Sequence, residues 1–253
     1  MHSPIITIDG PVASGKGTVA RLVAQSLGFH LLDSGAIYRA HAQACLSRDV
    51  DFNEINVLEK EAKQLSLKFV GDRVWLDGVD ATATVRSEAV GMAASALSAI
   101  PQVRAALMQR QRDFAQAPGL VADGRDMGTI VFPAAQLKIY LTATAHVRAE
   151  RRSAQVAAQR LAAMPQSGQD DLAKQLIEKG KSNTINSLLE AIRAQVLVDV
   201  ETQIRRRDAQ DKSRAAAPLR PAHDAIVLDN AAHSPEETVD VVLSLWNLRS
   251  DSL

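Results

Sequence analysis

The chain has 253 residues, 46% hydrophobic and 23% charged, with 29 basic side chains against 29 acidic ones. Such a composition is that of an ordinary globular protein, long enough for one sizeable α/β unit with insertions. The balanced charge excludes bulk electrostatic attraction to nucleic acid or membrane, so any anion-binding charge must be concentrated locally. No aromatic residue lies between Tyr140 and Trp246, which leaves the C-terminal third without a stacking platform for bases. The single cysteine, Cys45, cannot close an intrachain disulfide and reads as a small apolar filler in a helix. No apolar stretch approaches a membrane span, and the N-terminus runs straight into a strand with no leader pattern. The expectation is a cytoplasmic monomer with no nucleic-acid or membrane partner.

The first predicted element is a buried strand, Ile5 to Ile8, running into Gly-Pro-Val-Ala-Ser-Gly-Lys-Gly-Thr at Gly10 to Thr18. Apolar residues at helical spacing continue to Leu27. A strand, a glycine-bounded loop with one lysine and a helix form a phosphate cradle. Glycines let successive N–H groups turn toward the anion, the helix presents its positive end and Lys16 adds a full charge. A polyphosphate is the ligand to expect. The usual hydroxyl follows the lysine directly; here Gly17 intervenes and Thr18 is the first hydroxyl. A glycine-rich turn with a surface lysine is the bland alternative, and the preceding strand argues against it.

A second strand, Phe29 to Leu32, ends at Asp33-Ser34-Gly35, and a helix runs on from Ala36 through Cys45. This is the opening of a parallel sheet. Residues 57–65 have helical spacing. Leu67 to Val70 and Arg73 to Leu76 then read as a hairpin about Gly71-Asp72. A hairpin does not belong in a parallel sheet, so 40–104 reads as an inserted subdomain, closed by helices over Val85–Leu97 and Val103–Phe114 and broken at Pro101. The core resumes with strands at Gly119–Asp123 and Leu137–Leu141. A long helical stretch, 145–213, is split at Met164 to Gly168. A last strand, Ala225 to Asp229, precedes a closing helix whose Ser-Pro-Glu-Glu start at Ser234 is a good helix signal.

Three constellations carry chemistry. Asp123 closes an apolar strand; it either caps the next turn or, beside a phosphate loop, holds magnesium through water, with Thr18 supplying a hydroxyl. The loop Gly124 to Thr129 sits at the C-terminal end of a parallel strand, where ligands bind. Its Arg125 can fork onto a phosphate, and Asp126 can accept from an exocyclic amine or sugar hydroxyl. Arg207, Asp211 and Arg214 fall near one helix face, as a solvated ion-pair ladder or as a ligand lid. Arg148, Arg151 and Arg152 form a further basic cluster, divided between solvent and phosphate contact.

These blocks together resemble the bacterial cytidylate kinases. The carriers are Ile-Thr-Ile-Asp-Gly-Pro at 6–11, Ser-Gly-Lys-Gly-Thr at 14–18, Leu-Leu-Asp-Ser-Gly-Ala-Ile-Tyr-Arg at 31–39, Ala-Asp-Gly-Arg-Asp-Met-Gly-Thr at 122–129 and Arg-Asp-x-x-Asp-x-x-Arg at 207–214, with Pro218-Leu219 after the last. The resemblance spans nearly the whole chain. It implies a phosphate-loop kinase of α/β fold, a three-layer parallel-sheet core with an inserted acceptor-binding subdomain and a helical lid. The divisions expected are 1–39, 105–147 and 220–253 for the core, 40–104 for the insert and 148–219 for the lid. The implied activity is phosphorylation of CMP and dCMP by ATP with Mg2+.

By the same resemblance Gly10, Pro11, Val12, Ala13, Ser14, Gly15, Lys16, Gly17 and Thr18 bind the ATP phosphates, with Arg148 and Arg152 from the lid. The CMP site comprises Ser34, Arg39, Ser95, Arg104, Arg125, Asp126, Arg207, Asp211 and Arg214. Arg104, Arg125 and Arg207 would hold the substrate phosphate, and Ser34, Ser95, Asp126 and Asp211 would read base and sugar. Lys16, Arg125 and Arg207 are the expected catalytic groups. Two departures stand out. Val12-Ala13-Ser14 replaces a more glycine-rich loop middle, and the stretch between Arg152 and Arg207 is longer than the usual lid. The alternatives are a phosphate-loop kinase for another monophosphate such as UMP or AMP, or a nucleotide-dependent switch, which the neutral charge disfavours.

Overall fold

The apolar run at the head of the chain becomes the middle of the molecule. The computed structural model describes residues 3–70, 73–180, 182 and 184–250. In chain order, β1 (Ile5–Asp9), α1 (Lys16–Leu27), β2 (His30–Asp33) and α2 (Ser34–Ser47) open the fold. They are followed by α3 (Ile55–Gln64), β3 (Leu67–Val70), β4 (Arg73–Leu76), β5 (Val79–Asp80), α4 (Thr82–Val85), α5 (Glu88–Leu97) and α6 (Pro101–Arg112). Then come β6 (Leu120–Gly124), a π-helical turn at Met127–Val131, β7 (Leu137–Thr142), α7 (Ala145–Ala163), α8 (Gln166–Glu178), α9 (Ile185–Ser213), β8 (Ile226–Asp229) and α10 (Pro235–Ser250).

Five strands form a parallel sheet of order β2-β6-β1-β7-β8. The inner strands β1, β6 and β7 read as near-continuous apolar runs because both faces are covered. On one face Val19 and Val23 of α1 and Val239, Val242 and Trp246 of α10 pack against Ile6, Ile8, Val121 and Ile139. On the other, Ile37 of α2 and Leu107 of α6 pack with Leu32, Leu120 and Ala122. This is a three-layer α/β fold, as the sequence leads one to expect.

A second sheet, antiparallel with order β3-β4-β5, lies between α3 and α4 in the chain. The hairpin strands are as expected, and the turn expected at Gly71-Asp72 lies outside the described residues. The insert is not a separate globule. Leu58, Val74 and Leu76 share one buried cluster with Leu32 and Leu120 of the parallel sheet. α2 and α6 run unbroken through the expected divisions at 39/40 and 104/105.

Several boundaries differ from expectation for identifiable reasons. Pro101 opens α6 at its first turn, where its missing N–H would have no partner anyway. The segment expected as one helix over 85–97 is two, because Ser87 caps α5 by accepting from the Val90 N–H. The loop 124–129 tightens into the π-helical turn. The long helical region has two breaks, one before α8 at Pro165 and one before α9, whose cap is Thr184. Ser234 and Glu237 form a reciprocal capping box at α10, each side chain accepting from the other's backbone N–H.

Candidate active site

The loop between β1 and α1 sits at the C-terminal end of the central strand. A Cβ at Gly10 would lie 2.1 Å from the Leu141 carbonyl oxygen, so only glycine permits this approach of β7. Gly15 caps α1 in the left-handed region with φ 87°, which frees the first N–H groups of the helix. Ala13 also takes a left-handed φ of 58°, a conformation that costs a non-glycine residue about 1 kcal/mol. The loop middle that departs from glycine is therefore held by its surroundings. Val12 and Ala13 pack against an apolar cluster of Ala149, Val196, Val200 and Ile204 on α7 and α9.

Lys16 is buried and donates through Nζ to the Pro11 carbonyl at 3.2 Å. Burial lowers its pKa, and Arg125 adds to the fall while Asp123 opposes it. Asp123 is also buried, and burial raises its carboxyl with Lys16 opposing. Its Oδ1 has no hydrogen-bond partner, and a Cβ at Gly17 would come within 3.1 Å of its Oδ2. The carboxylate thus lies against the head of α1, where Thr18 is exposed. An orphaned carboxylate oxygen beside a helix N-terminus fits a hydrated Mg2+. Among the described residues no cluster of three His, Cys, Asp or Glu could hold an ion alone. The donor set suits an ion that keeps phosphate and water ligands.

Opposite this loop opens a cleft of about 590 Å³, within the range of small-molecule sites. Val12, Ala13, Lys16 and Asp123 line it together with the guanidinium groups of Arg39, Arg104, Arg125, Arg152, Arg207 and Arg214. Arg104 on α6 is buried, forms an ion pair with Asp126, donates to the Ser98 carbonyl at 3.2 Å and stacks 5.8 Å above the Tyr38 ring. Arg125 Nε reaches across to Asp211 of α9 at 3.3 Å. Arg214 donates to the other oxygen of Asp211. Asp211 is therefore buried and held from two sides, which removes the solvated ladder as a description of this helix end.

Arg207 lines the cleft with its Nε unpartnered, and burial, with Arg125 next, pushes its pKa down to about 10. Arg39 donates to the Val85 and Ser87 carbonyls at 3.0 and 3.1 Å and also faces the cleft. Ser34 and Ser95 are buried in the lining, and Ser95 Oγ donates to Gln210 Oε1 at 3.4 Å. Arg152 lines the same cleft near Gln155. Arg148 does not face the cleft openly. It is buried, forked onto Asp208 at 2.5 and 3.1 Å.

Asp9 is a site residue that the sequence reading passed over. Its two carboxylate oxygens accept from the N–H groups of Met127 and Gly128, both at 2.8 Å. It thereby pins the turn that carries Arg125 and Asp126 to the end of β1. Burial raises its carboxyl to about 7, against the pull of those two hydrogen bonds. The signal was available, since Asp9 closes an apolar strand just as Asp123 does.

The family model described as cytidylate kinase matches residues 6–183 and 173–248. The chain belongs to the cytidylate kinase family. Curated relatives with that name include those of Burkholderia multivorans, 48% identical over 96% of this chain and 93% of the relative, and Ralstonia pickettii, 46% identical over 97% and 93%. A third, from Cupriavidus pinatubonensis, is 47% identical over 94% of both chains. The two stretches matched by the family model share residues 173–183, at the end of α8 and just beyond. That overlap falls within the segment the sequence marks as long for a cytidylate kinase lid.

Proposed function

We propose that the protein transfers the γ-phosphoryl group of ATP to CMP and dCMP, giving CDP and dCDP. The observation that carries this reading is one cleft lined both by a lysine-bearing phosphate loop and by Arg104, Arg125 and Arg214, which are paired with Asp126 and Asp211. Two anions must meet in one cleft, and this lining offers a cationic partner to each.

In this reading Gly10 to Thr18 cradle the ATP phosphates through main-chain N–H groups. Lys16 places its charge on the transferring group. Arg104, Arg125 and Arg207 hold the CMP phosphate, with Arg39 and Arg214 adding positive charge. Ser34, Ser95, Asp126 and Asp211 orient sugar and base, and the carboxylates accept from the cytosine amine or ribose hydroxyls. Asp123 and Thr18 would hold Mg2+, which supplies charge neutralisation at the phosphates when bound. The acceptor phosphate is already anionic, so no general base is needed from the chain. Its work is alignment and the exclusion of water.

In the same reading residues 1–39 with 105–147 and 220–253 act as the core, 40–104 as the acceptor insert and 148–219 as the lid, with α2 and α6 shared between core and insert. We further infer a cytoplasmic monomer acting on small molecules alone. Among the described residues no single helix is long and apolar enough to cross a membrane. A coupled assay of CMP, dCMP, UMP, AMP and GMP with Mg2+-ATP tests the activity. The expected result is turnover of the two cytidylates well above the rest; equal turnover of UMP or AMP would turn the reading to the broader monophosphate kinase. Sedimentation velocity tests the monomer.

A further inference from the structure

The phosphate loop is held from its outer side as well as from within. In a trans peptide the C=O and the following N–H point in opposite directions, so anchoring a carbonyl on one side aims the next N–H to the other. Three loop carbonyls are anchored by side chains from three separate elements. Lys16 donates to Pro11 O at 3.2 Å, Arg148 Nη1 on α7 donates to Val12 O at 3.0 Å, and Asn230 Nδ2 after β8 donates to Ser14 O at 3.0 Å. Arg148 and Asn230 lie outside the cleft lining, so the N–H groups their anchors turn the other way are those of Ala13 and Gly15; Lys16, which lines the cleft, holds Pro11 O from within.

Asn230 has only one workable orientation. Arg151 Nη1 donates to its Oδ1 at 3.2 Å and Nη2 donates to its backbone carbonyl at 2.7 Å. A guanidinium cannot accept, so Oδ1 must face it and the amide NH2 is left for Ser14 O. Asn230 is 4% exposed, so water does not replace these partners. Arg148 is equally constrained. Its Nε donates to Ala143 O at 2.9 Å, and its outer nitrogens fork onto Asp208 at 3.1 and 2.5 Å. Asp208 follows Arg207 on α9 and precedes Asp211 by three residues.

We propose that Arg148 and Asn230 are positioning residues of the phosphate loop, and that Asp208 ties this bracing to the helix that carries Arg207 and Asp211. Arg148 then acts on ATP through the loop's peptide groups, without touching the phosphates. The docking of Val12 and Ala13 on α7 and α9 belongs to the same arrangement, since it holds Ala13 in its left-handed conformation. The inference rests on the reading of this loop as the ATP site.

The test is isothermal titration of the full chain with Mg2+-ATP and, separately, with CMP. The unaltered protein is titrated first; failure to bind ATP there would refute the proposed function itself. Asn230→Asp keeps the size and the Arg151 contact but replaces the donor with an oxygen facing Ser14 O. It should weaken ATP about tenfold or more, with CMP affinity changed less than about twofold. Arg148→Lys, which keeps the charge and loses the fork, should give the same split. ATP affinity within twofold of the parent in both variants overturns the proposal, as does equal weakening of ATP and CMP. Asp208→Asn separates bracing from direct contact. A phosphate-touching Arg148 would bind ATP more tightly once its carboxylate partner is neutral, whereas a positioning Arg148 binds it more weakly. Tighter ATP binding in that variant also overturns the proposal.

Discussion

The two sets of groups proposed to bind ATP and CMP would handle negative charge by different means. The proposed donor wall is a run of nine consecutive residues, Gly10 to Thr18, of which Val12, Ala13 and Lys16 line the cleft. The proposed acceptor wall is assembled from Arg39 on α2, Arg104 on α6, Arg125 after β6, and Arg207 and Arg214 at the end of α9, all of which line the cleft. A main-chain cradle needs contiguity and glycine at particular places, so it is written into a short stretch of sequence. A side-chain wall needs guanidinium groups delivered from distant elements and carboxylates to keep them from repelling each other. The donor wall should therefore fail at few positions and fail completely. The acceptor wall should fail in degrees at many.

The sharpest way to break that contrast is Lys16→Ala. The one full charge of the donor wall is lost, and turnover should fall by about three orders of magnitude, while circular dichroism stays that of the parent. Near-normal turnover would remove Lys16 from the chemistry. On the acceptor wall the largest effect belongs to Asp126→Ala, which leaves Arg104 buried without its partner. Denaturant unfolding should register a loss of about 3–5 kcal/mol, with CMP binding lost as well. A loss below about 1 kcal/mol would mean that water reaches Arg104 after all.

Asp211→Ala comes next. It frees Arg125 and Arg214 to repel each other and should weaken CMP by about 10–100-fold while leaving ATP nearly untouched. Equal losses for both ligands would erase the distinction between the two walls. Asp9 yields a smaller and pH-dependent effect. As pH falls through about 7 its carboxylate gains a proton, and one of its two acceptor oxygens no longer serves the Met127 and Gly128 N–H groups fully. CMP affinity should decline several-fold toward pH 6 in the parent, relative to Asp9→Asn, whose profile should be flatter and low throughout. Identical profiles would free the turn from Asp9. At the bottom of the scale, Lys174→Ala on the exposed face of α8 should change neither Tm nor kcat/KM, because its contact with Asp171 is solvated.

The same contrast explains what was legible in the sequence. The five parallel strands announced themselves as apolar runs, and the phosphate loop as a spacing. β5 is two residues long, too short for any alternation to register. The π-helical turn at Met127 passed as a loop because its N–H groups are satisfied by Asp9, 118 residues earlier in the chain. Asn230 could not be singled out, since its partner Ser14 O is 216 residues away and no pattern near β8 reports it. Ser34, Arg39, Ser95 and Arg104 entered as site residues through family resemblance alone. The residues themselves pointed to Arg125 as a phosphate fork, Asp126 as an acceptor for an amine or sugar hydroxyl, and Arg207, Asp211 and Arg214 as a ladder or lid, but gave no cytosine preference.

α9 is 29 residues long, and Leu188, Ile192, Val196, Val200 and Ile204 form a buried stripe that continues into Asp208 and Asp211. One row thus serves as a hydrophobic rail over most of its length and as a charged tip at its end. A single residue gained or lost beneath the tip would swing it by roughly 100° and turn both carboxylates away. Steps of about seven or eleven residues would restore the heading. Added length at the start of α9, toward α8, would leave that heading untouched, whereas next to the charged tip the helix can change length only in such steps.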